Sequence, residues 1–182
     1  MVGDELRFYF TGFSGVSPTL RIQDKEDSSP YRSLMYAGGS TGMATLRRDG
    51  FVAMTADAEI GALTTRLLSF NGSHLFVNAS CAEGELTVEI LDEQGKVLSG
   101  FSFDDSVPLV GDSTCHRITL KNFEDLSGLD RMPVRFRFQL RQGELYSFWV
   151  SKSPRGRSDG YVAAGGPGFD RPTDTVGYTS SA

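Results

Sequence analysis

Residues 134–141 read VRFRFQLR, an alternation of apolar and polar side chains that is sustained over eight positions. Successive side chains of a β-strand point to opposite faces of the sheet, so this period predicts a strand with one buried and one solvent-exposed face. The next run, residues 145–150, reads LYSFWV and is apolar on both faces. It predicts a central or covered strand.

Six further runs upstream of this pair have the composition of strands. They are short, rich in β-branched and aromatic residues, and separated by turn residues such as those of the hairpin turn at 92–96. No segment keeps a helical period. About eight strands at this spacing predict an all-β, antiparallel, jelly-roll-like β-sandwich over residues 50–150. The six runs are residues 51–55, 62–68, 74–80, 85–91, 101–103 and 116–120.

The two ends of the chain differ from this region. Residues 1–49 hold two strand-like runs, at 6–12 and 41–48, on either side of a long polar stretch. A two-stranded ribbon on its own is marginally stable in water, so we expect residues 1–49 to be a partial hairpin, poorly anchored and prone to self-association. Residues 151–182 contain six Gly and three Pro and predict a disordered tail.

The net charge of −5 disfavours two classes of partner. A nucleic-acid backbone and an anionic membrane both select a basic surface, so neither is expected to bind this chain. No stretch reaches the ~20 apolar residues of a membrane-spanning helix. Residues 1–5, MVGDE, lack the basic start and apolar run of a signal peptide, which leaves an intracellular protein and a missing true N-terminus as alternatives.

Cys81 and Cys115 are the two cysteines of the chain. With His74 and His116 they fit no usual zinc spacing, so they are expected to be structural, either free or joined in one disulfide. His116 also alternates with apolar residues, which predicts a partly buried histidine. No cofactor is expected.

Several stretches of the chain resemble one known family. LRFYFTGF at residues 6–13 and GMATLRRDGF at residues 42–51 are similar to the last blade of glycoside-hydrolase-like five-bladed β-propellers, of the glycosyl hydrolase family 32/43 type. In these proteins the exit strand of that blade leads directly into a C-terminal β-sandwich. Parts of residues 100–113, 133–138 and 145–148 resemble that sandwich.

The resemblance covers residues 5–150 approximately and implies that the chain is the C-terminal part of a longer protein. The family's catalytic carboxylates lie in the propeller funnel, on blades that would precede residue 1, so no catalytic residue is carried over to this sequence. The other blades are absent, which is the pattern of a truncated gene model, an excised piece or a relic that kept the accessory part. An extracellular location is implied for the full-length family.

The function expected from these observations is non-catalytic: an accessory sandwich that packs against and stabilises a glycosidase-like propeller, with at most a weak affinity for carbohydrate. Three alternatives stay open. The chain could be a freestanding carbohydrate-binding module, a piece of a glycoside hydrolase that acts only in the full-length protein, or a protein-interaction sandwich with no role in sugar binding. An exposed aromatic strip would favour the first, and two acids facing one cleft would favour the second.

Acidic residues provide the candidate metal and catalytic sites. Asp104, Asp105 and Asp112 crowd one predicted loop, where their oxygens could hold Ca²⁺ or could simply form turns. Asp105 and Asp112 are also the best remaining pair for glycosidase chemistry, because one loop could bring them together. Asp57 and Glu59 follow the first sandwich strand and are interpreted as a surface turn.

Tyr146, Phe148 and Trp149 could form a platform for sugar rings, but core packing is the favoured interpretation. In a regular strand Tyr146 and Phe148 share one face, whereas Trp149 points to the other face with Leu145.

Two short motifs and two basic spots complete the candidates. Asn71-Gly72-Ser73 and Asn78-Ala79-Ser80 are acceptor sequons for N-glycosylation, relevant if the chain enters a secretory pathway. Arg47-Arg48 and Arg155-Gly156-Arg157 are interpreted as solvated charge.

Overall fold

The computed structural model describes residues 2–15, 38–160 and 173–175. All strand pairs are antiparallel and the described residues contain no α-helix, so the all-β antiparallel prediction is confirmed. Two 3₁₀ turns, Phe103–Asp105 and Ser127–Leu129, accompany the strands. The strands are β1 (Glu5–Phe13), β2 (Gly39–Arg47), β3 (Met54–Ala56), β4 (Gly61–Thr64), β5 (His74–Leu91), β6 (Leu109–Arg117), β7 (Arg135–Arg141) and β8 (Gly143–Ser151).

β1 and β2 form a two-stranded ribbon that is separate from the main sheet. Its register runs from Glu5 opposite Arg47 to Phe13 opposite Gly39. The predicted N-terminal hairpin is therefore present. Most of the polar stretch predicted between its strands, residues 16–37, lies outside the described residues.

The remaining six strands form one sheet built around β5, which is 18 residues long. β7 and β8 are separated by Gln142 alone and pair with successive halves of β5, Glu85–Leu91 and His74–Ser80. β3 extends the sheet beyond β8, β4 extends it beyond β7, and β6 pairs with β5. The register of β5 with β6 shifts between Cys81 and Leu86, an irregularity that bends the strand midway along its length, and the sheet is nearly closed into a barrel.

This bend depends on glycine at two positions. A Cβ on Gly84 would lie 1.7 Å from the carbonyl oxygen of Arg141, and a Cβ on Gly143 would lie 2.7 Å from that of Ser80. Gln142, between β7 and β8, has a positive φ of 44°. Side chains at the two glycines would push the strands apart, so the close approach of β5 to the β7–β8 connection requires glycine there.

Bending the sheet brings the inner faces of its two halves together in one core. The alternation predicted for residues 134–141 is confirmed, since its apolar side chains are buried and its polar ones are not. Phe148 of β8 meets Phe136 and Phe138 of β7 with ring centroids 5.9 and 5.1 Å apart. The core also takes alternate residues of β5, which are Leu75, Val77, Ala79, Cys81, Leu86, Val88 and Ile90.

Several predictions about strands are wrong, among them 51–55 and 62–68, for which the structure has Met54–Ala56 and Gly61–Thr64. Residues 101–103 do not form a strand, because the amide and hydroxyl of Ser102 donate to the Asp105 carboxylate at 3.0 and 2.6 Å and close a 3₁₀ turn. The strand predicted at 116–120 is β6, which begins earlier because it pairs with β5. The break predicted before Glu85 is absent, since β5 continues through it.

A β-bulge corrects the face assigned to Leu145. Asn78 of β5 pairs with Ser147, but the next residue of β5, Ala79, pairs with Leu145, so Tyr146 is the extra residue of the bulge. The extra residue reverses the alternation of side chains. Leu145 is consequently buried in the core, and Phe148 packs against the same core. The regular alternation had predicted these two residues on opposite faces.

The C-terminal segment packs on the barrel where the structure describes it. The indole Nε1 of Trp149 donates to the carbonyl oxygen of Gly156 at 3.0 Å. Asp174 is 1% exposed, and its backbone amide donates to the carbonyl oxygen of Gly160 at 2.9 Å. The rest of the predicted tail, residues 161–172 and 176–182, lies outside the described residues.

Candidate functional site

Arg47, the last residue of β2, joins the ribbon to the barrel. Its Nε donates to the Oδ1 of Asn78 at 2.6 Å, and its Nη2 donates to the carbonyl oxygen of Ala79 at 3.2 Å. Its Nη1 forms an ion pair with Asp112 of β6. The guanidinium also lies over the ring of Tyr146, 4.8 Å from its centroid, in the geometry of a cation–π contact. One side chain of the ribbon thus contacts three strands of the barrel.

Asn78 is the partner that orients this arginine from the barrel side. Its side chain is fully buried, and both of its polar atoms are used: Oδ1 accepts from Arg47, and Nδ2 donates to the carbonyl oxygen of Arg48 at 2.6 Å. The side chains of Arg47 and Arg48 are only 18% and 12% exposed. The interpretation of these two arginines as solvated charge is therefore wrong, because both are enclosed at the junction.

Two further contacts hold the base of the ribbon. The Nη2 of Arg48 lies 3.5 Å from the buried carboxylate of Asp174, which also accepts from the amide and hydroxyl of Ser158 at 3.0 and 3.2 Å. The carboxylate of Asp4 accepts a hydrogen bond from the hydroxyl of Thr114 in β6. The base of the ribbon is thus held by the barrel and by C-terminal residues, which corrects the expectation that it is poorly anchored.

Beyond its base the ribbon presents large apolar side chains to solvent on both faces. The cross-strand register places Phe8 and Phe10 on one face and Tyr9, Phe13 and Met43 on the other. All five are exposed, Tyr9 at 71%. From Phe8 to Phe13 of β1 and from Gly39 to Leu46 of β2, neither strand carries a charged residue. Both faces of this part of the ribbon therefore expose large apolar side chains.

This apolar surface continues onto the barrel. Phe8 meets Phe51 edge to face, with ring centroids 6.4 Å apart. Phe51, 69% exposed, is followed by the exposed Val52 and Met54 at the start of the sheet. Large apolar surfaces mark interaction sites on proteins. We call this one the ribbon surface; it comprises Phe8, Tyr9, Phe10, Phe13, Met43, Phe51, Val52 and Met54.

The three aspartates predicted to crowd one loop lie in two different elements. Asp104 and Asp105 lie in the 3₁₀ turn, where hydrogen bonds from Ser102 lower the pKa of the Asp105 carboxyl. Asp112 lies on β6 and binds Arg47. The loop predicted to gather them as a Ca²⁺ site or a catalytic pair does not form, because β6 pairs with β5. Across the described ranges, no three His, Cys, Asp or Glu side chains are placed to hold a metal ion.

An open cleft of about 420 Å³ lies where the sheet bends. It is lined by the carboxylates of Asp57, Glu83 and Glu144, and Glu144 accepts a hydrogen bond from the Tyr146 hydroxyl, which raises the pKa of that phenol. Asp57 and Glu59 are both exposed, as expected of a surface turn. Glycosidase chemistry needs two carboxyls in unlike environments, one of them enclosed. This open cleft does not provide that enclosure.

The three aromatic residues considered as a sugar platform are each engaged within the fold. Phe148 packs against the core, as predicted, and Trp149 stacks on Phe76 with centroids 5.6 Å apart. Tyr146 lies under the guanidinium of Arg47. Because each ring contacts a different group, the three do not form one exposed strip; the exposed aromatic side chains are those of the ribbon surface.

The two sequons lie in different environments. Asn71 is exposed in the bend that precedes β5, whereas Asn78 is buried and hydrogen-bonded at the ribbon junction. A glycan on Asn78 would be incompatible with the folded junction, because its amide is buried and hydrogen-bonded on both sides.

Cys81 and Cys115 are free thiols. Burial raises the pKa of both, that of Cys115 to about 11, so neither is a strong nucleophile at neutral pH. His116 is partly buried, as predicted, and its desolvation lowers its pKa. All three residues have the properties of structural side chains.

Comparisons with protein-family models, with curated proteins and with solved structures found no match. In the part of the chain that the structure describes, no helix has the length and apolar character needed to cross a membrane. Function is therefore inferred from the junction and the ribbon surface.

The junction could not be found by motif. Arg47 belongs to a basic pair that is typical of solvated surface, and its partners are far away in sequence. The one available signal is Asn78, a polar residue inside the apolar run LFVNA of residues 75–79. A buried polar side chain of this kind requires a hydrogen-bonding partner from another element.

Proposed function

We propose that this chain is the non-catalytic accessory β-sandwich of a glycosidase-like propeller protein, and that it holds two strands of a propeller blade in a fixed orientation. The observation that carries the proposal is a ribbon that is locked to the barrel at its base and apolar on both faces beyond it. The resemblance of residues 6–13 and 42–51 to a blade supports the same assignment. The proposal includes a jelly-roll-like sandwich architecture for the barrel.

Exposure on both faces distinguishes the ribbon from an ordinary surface hairpin. An antiparallel sheet that covers its own domain is apolar on the packed face and polar on the other. Here Tyr9 and Phe10 lie on opposite faces and both are exposed. A sheet covered on both sides, such as a blade between two neighbouring blades, suits this pattern.

Within residues 2–15 and 38–160, no strand pairs with the outer edges of the ribbon. Among the described strands, β1 and β2 pair only with each other. Their outward backbone groups can accept another strand by edge-to-edge addition. Because a blade is a four-stranded sheet, two added strands would complete it.

The junction would let the barrel fix the orientation of such a blade. A guanidinium with charge-assisted hydrogen bonds to Asn78, Ala79 and Asp112 holds the ribbon in one direction, where a flexible linker would let it rotate. The barrel would thereby orient and stabilise the blade. In this proposal any hydrolysis of glycosides belongs to the propeller of the full-length protein, and strong sugar binding is not assigned to the barrel.

Sequencing the transcript upstream of the codon for Met1 is the first test. We expect an open frame that encodes further blade strands and leads without interruption into this chain. A frame that encodes no such strands would overturn the proposal and leave the barrel as an interaction domain of another kind.

Co-expression tests the ribbon surface directly. The upstream blades, expressed as a separate chain, should co-purify with the wild-type chain and should be lost from Tyr9→Asp and Met43→Asp variants. Val110→Asp is the matched control, because Val110 is an exposed apolar residue on β6, outside the ribbon surface. Equal co-purification of all three variants would show that the blades do not bind the ribbon surface.

A further inference from the structure

Asn71 lies on the outside of a bend that the fold holds in place. The amide of Gly72 donates to the Oδ1 of Asp130 at 3.2 Å, and the amide of Ser73 donates to the carbonyl oxygen of Ser151 at 3.0 Å. A Cβ on Gly72 would lie 2.9 Å from that same carbonyl oxygen, so the chain passes close to β8 at this point. The backbone of the sequon is therefore fixed while the Asn71 side chain is exposed.

By contrast, the acceptor side chain of the second sequon, Asn78, is inaccessible. Asn78 is 0% exposed, its Nδ2 donates to the carbonyl oxygen of Arg48, and its Oδ1 accepts from Arg47. Transfer of a sugar to that Nδ2 would place an oligosaccharide between the ribbon and the barrel. A chain modified there could not form the junction.

We propose that Asn71, and not Asn78, is the acceptor of an N-linked oligosaccharide in this protein. The donor class is an oligosaccharide linked to a polyprenyl pyrophosphate. The Nδ2 of Asn71 forms a bond to C1 of the first sugar, and the bond from C1 to the pyrophosphate oxygen breaks with its electron pair remaining on that oxygen. The net reaction transfers the proton that the amide nitrogen loses to the departing polyprenyl pyrophosphate. No redox step is involved.

A glycan at this position is compatible with the junction. Asn71 lies before β5 and Asn78 lies within it, and the four steps from His74 to Asn78 alone span about 13 Å along the strand. The sugar would project from the bend before β5 and leave the ribbon surface uncovered. This site is independent of the proposed function, since none of the residues that hold the bend belongs to the junction or to the ribbon surface.

The test is expression of the full chain behind a secretion leader in eukaryotic cells, followed by intact-mass and peptide analysis of the folded, secreted protein. We expect one N-glycan, located on Asn71. It should be absent from Asn71→Gln and from Ser73→Ala, which removes the sequon but keeps the asparagine. It should persist in Ser80→Ala, which removes the second sequon and leaves Asn78 in place.

Two results would overturn the proposal. One is folded, secreted protein in which Asn71 carries no sugar. The other is a glycan on Asn78 in protein whose circular dichroism matches that of the Ser80→Ala variant. The Ser73→Ala variant keeps the test valid if replacing Asn71 itself disturbs the bend.

Discussion

The Nε of Arg47 donates to the Oδ1 of Asn78 at 2.6 Å, across the boundary between the ribbon and the barrel. The two residues are 31 positions apart in the chain, and each completes the hydrogen bonding of the other. The ion pair of Arg47 with Asp112 adds less, because the aspartate side chain is 56% exposed and screened by water. The junction therefore depends chiefly on buried hydrogen bonds.

Arg47→Ala should destabilise the protein by about 2–3 kcal/mol, because it leaves Asn78 Oδ1 and the Ala79 carbonyl without their donor. Arg47→Lys should recover part of this loss, since an ammonium cannot reproduce the planar fork. Urea unfolding measures both. Arg7→Ala, at an exposed ribbon arginine, is the control and should change stability by less than about 0.5 kcal/mol. Equal losses for Arg47 and Arg7 would contradict the junction.

Gly84→Ala should destabilise the barrel by about 3 kcal/mol or more, because its Cβ would lie 1.7 Å from the Arg141 carbonyl oxygen. Gly128→Ala is the matched control, since no atom lies within 4 Å of a Cβ at that position. Thermal unfolding followed by circular dichroism compares the two. A Gly84 variant as stable as the Gly128 variant would mean that the bend can open without cost.

Phe136→Ala should cost about 3–5 kcal/mol, because the ring is fully buried between both halves of the sheet. Phe51→Ala, which removes the same side chain from an exposed position, should cost less than about 1 kcal/mol. Denaturant titration of the two variants decides the orientation of β7. Reversed costs would place Phe136 on the surface.

Stability should fall as the pH is lowered from 7 to 5. Burial lowers the pKa of His116 and of His74 below 6.5, so the unfolded chain takes up protons at a higher pH than the folded chain. Proton uptake by the unfolded state favours unfolding through this window. Urea unfolding at both pH values should show the loss in the wild type and a smaller loss in a His74→Gln, His116→Gln variant. An unchanged loss in that variant would assign the effect to other groups.

The isolated chain should self-associate through the ribbon surface when no partner covers it. The double variant Tyr9→Ser, Phe13→Ser should raise the dissociation constant of self-association by about tenfold or more, since it removes apolar area that would be buried. Analytical ultracentrifugation over a concentration series measures it. Val110→Ser is the control at an exposed apolar site of the barrel and should leave the constant unchanged. A purely monomeric wild-type chain at high concentration would contradict this prediction.

The predictable parts of the fold are those that depend on the sequence of a single strand. The alternation of residues 134–141 placed Phe136 and Phe138 on the buried face, because side-chain period follows directly from strand geometry. Leu145 was misplaced because its face is set by a bulge, and a bulge is a property of the pairing between β5 and β8. No period within residues 145–150 reveals it.

The predictions of turns and loops at glycine and aspartate positions failed for a related reason. Gly84 has the appearance of a turn residue, but it lies inside β5, where only glycine lets Arg141 approach. Gly111 and Asp112 have the composition of a loop, yet pairing with β5 makes them part of β6. Both positions are decided by residues that lie far away along the chain. The junction at Arg47 was missed on the same ground.

The length and pairing of β5 also set the order in which the barrel can be made during synthesis. The strand begins at His74, but its partner at that end, Ser151, belongs to β8 and is translated much later. At a ribosomal rate of 5–20 residues per second, the interval is roughly 4–15 s. For most of that time the longest strand of the protein has neither β7 nor β8 to pair with, and pairing over such separation is slow even once the strands are available. The nascent chain is therefore a natural client for chaperones that shield apolar segments until the last strand emerges.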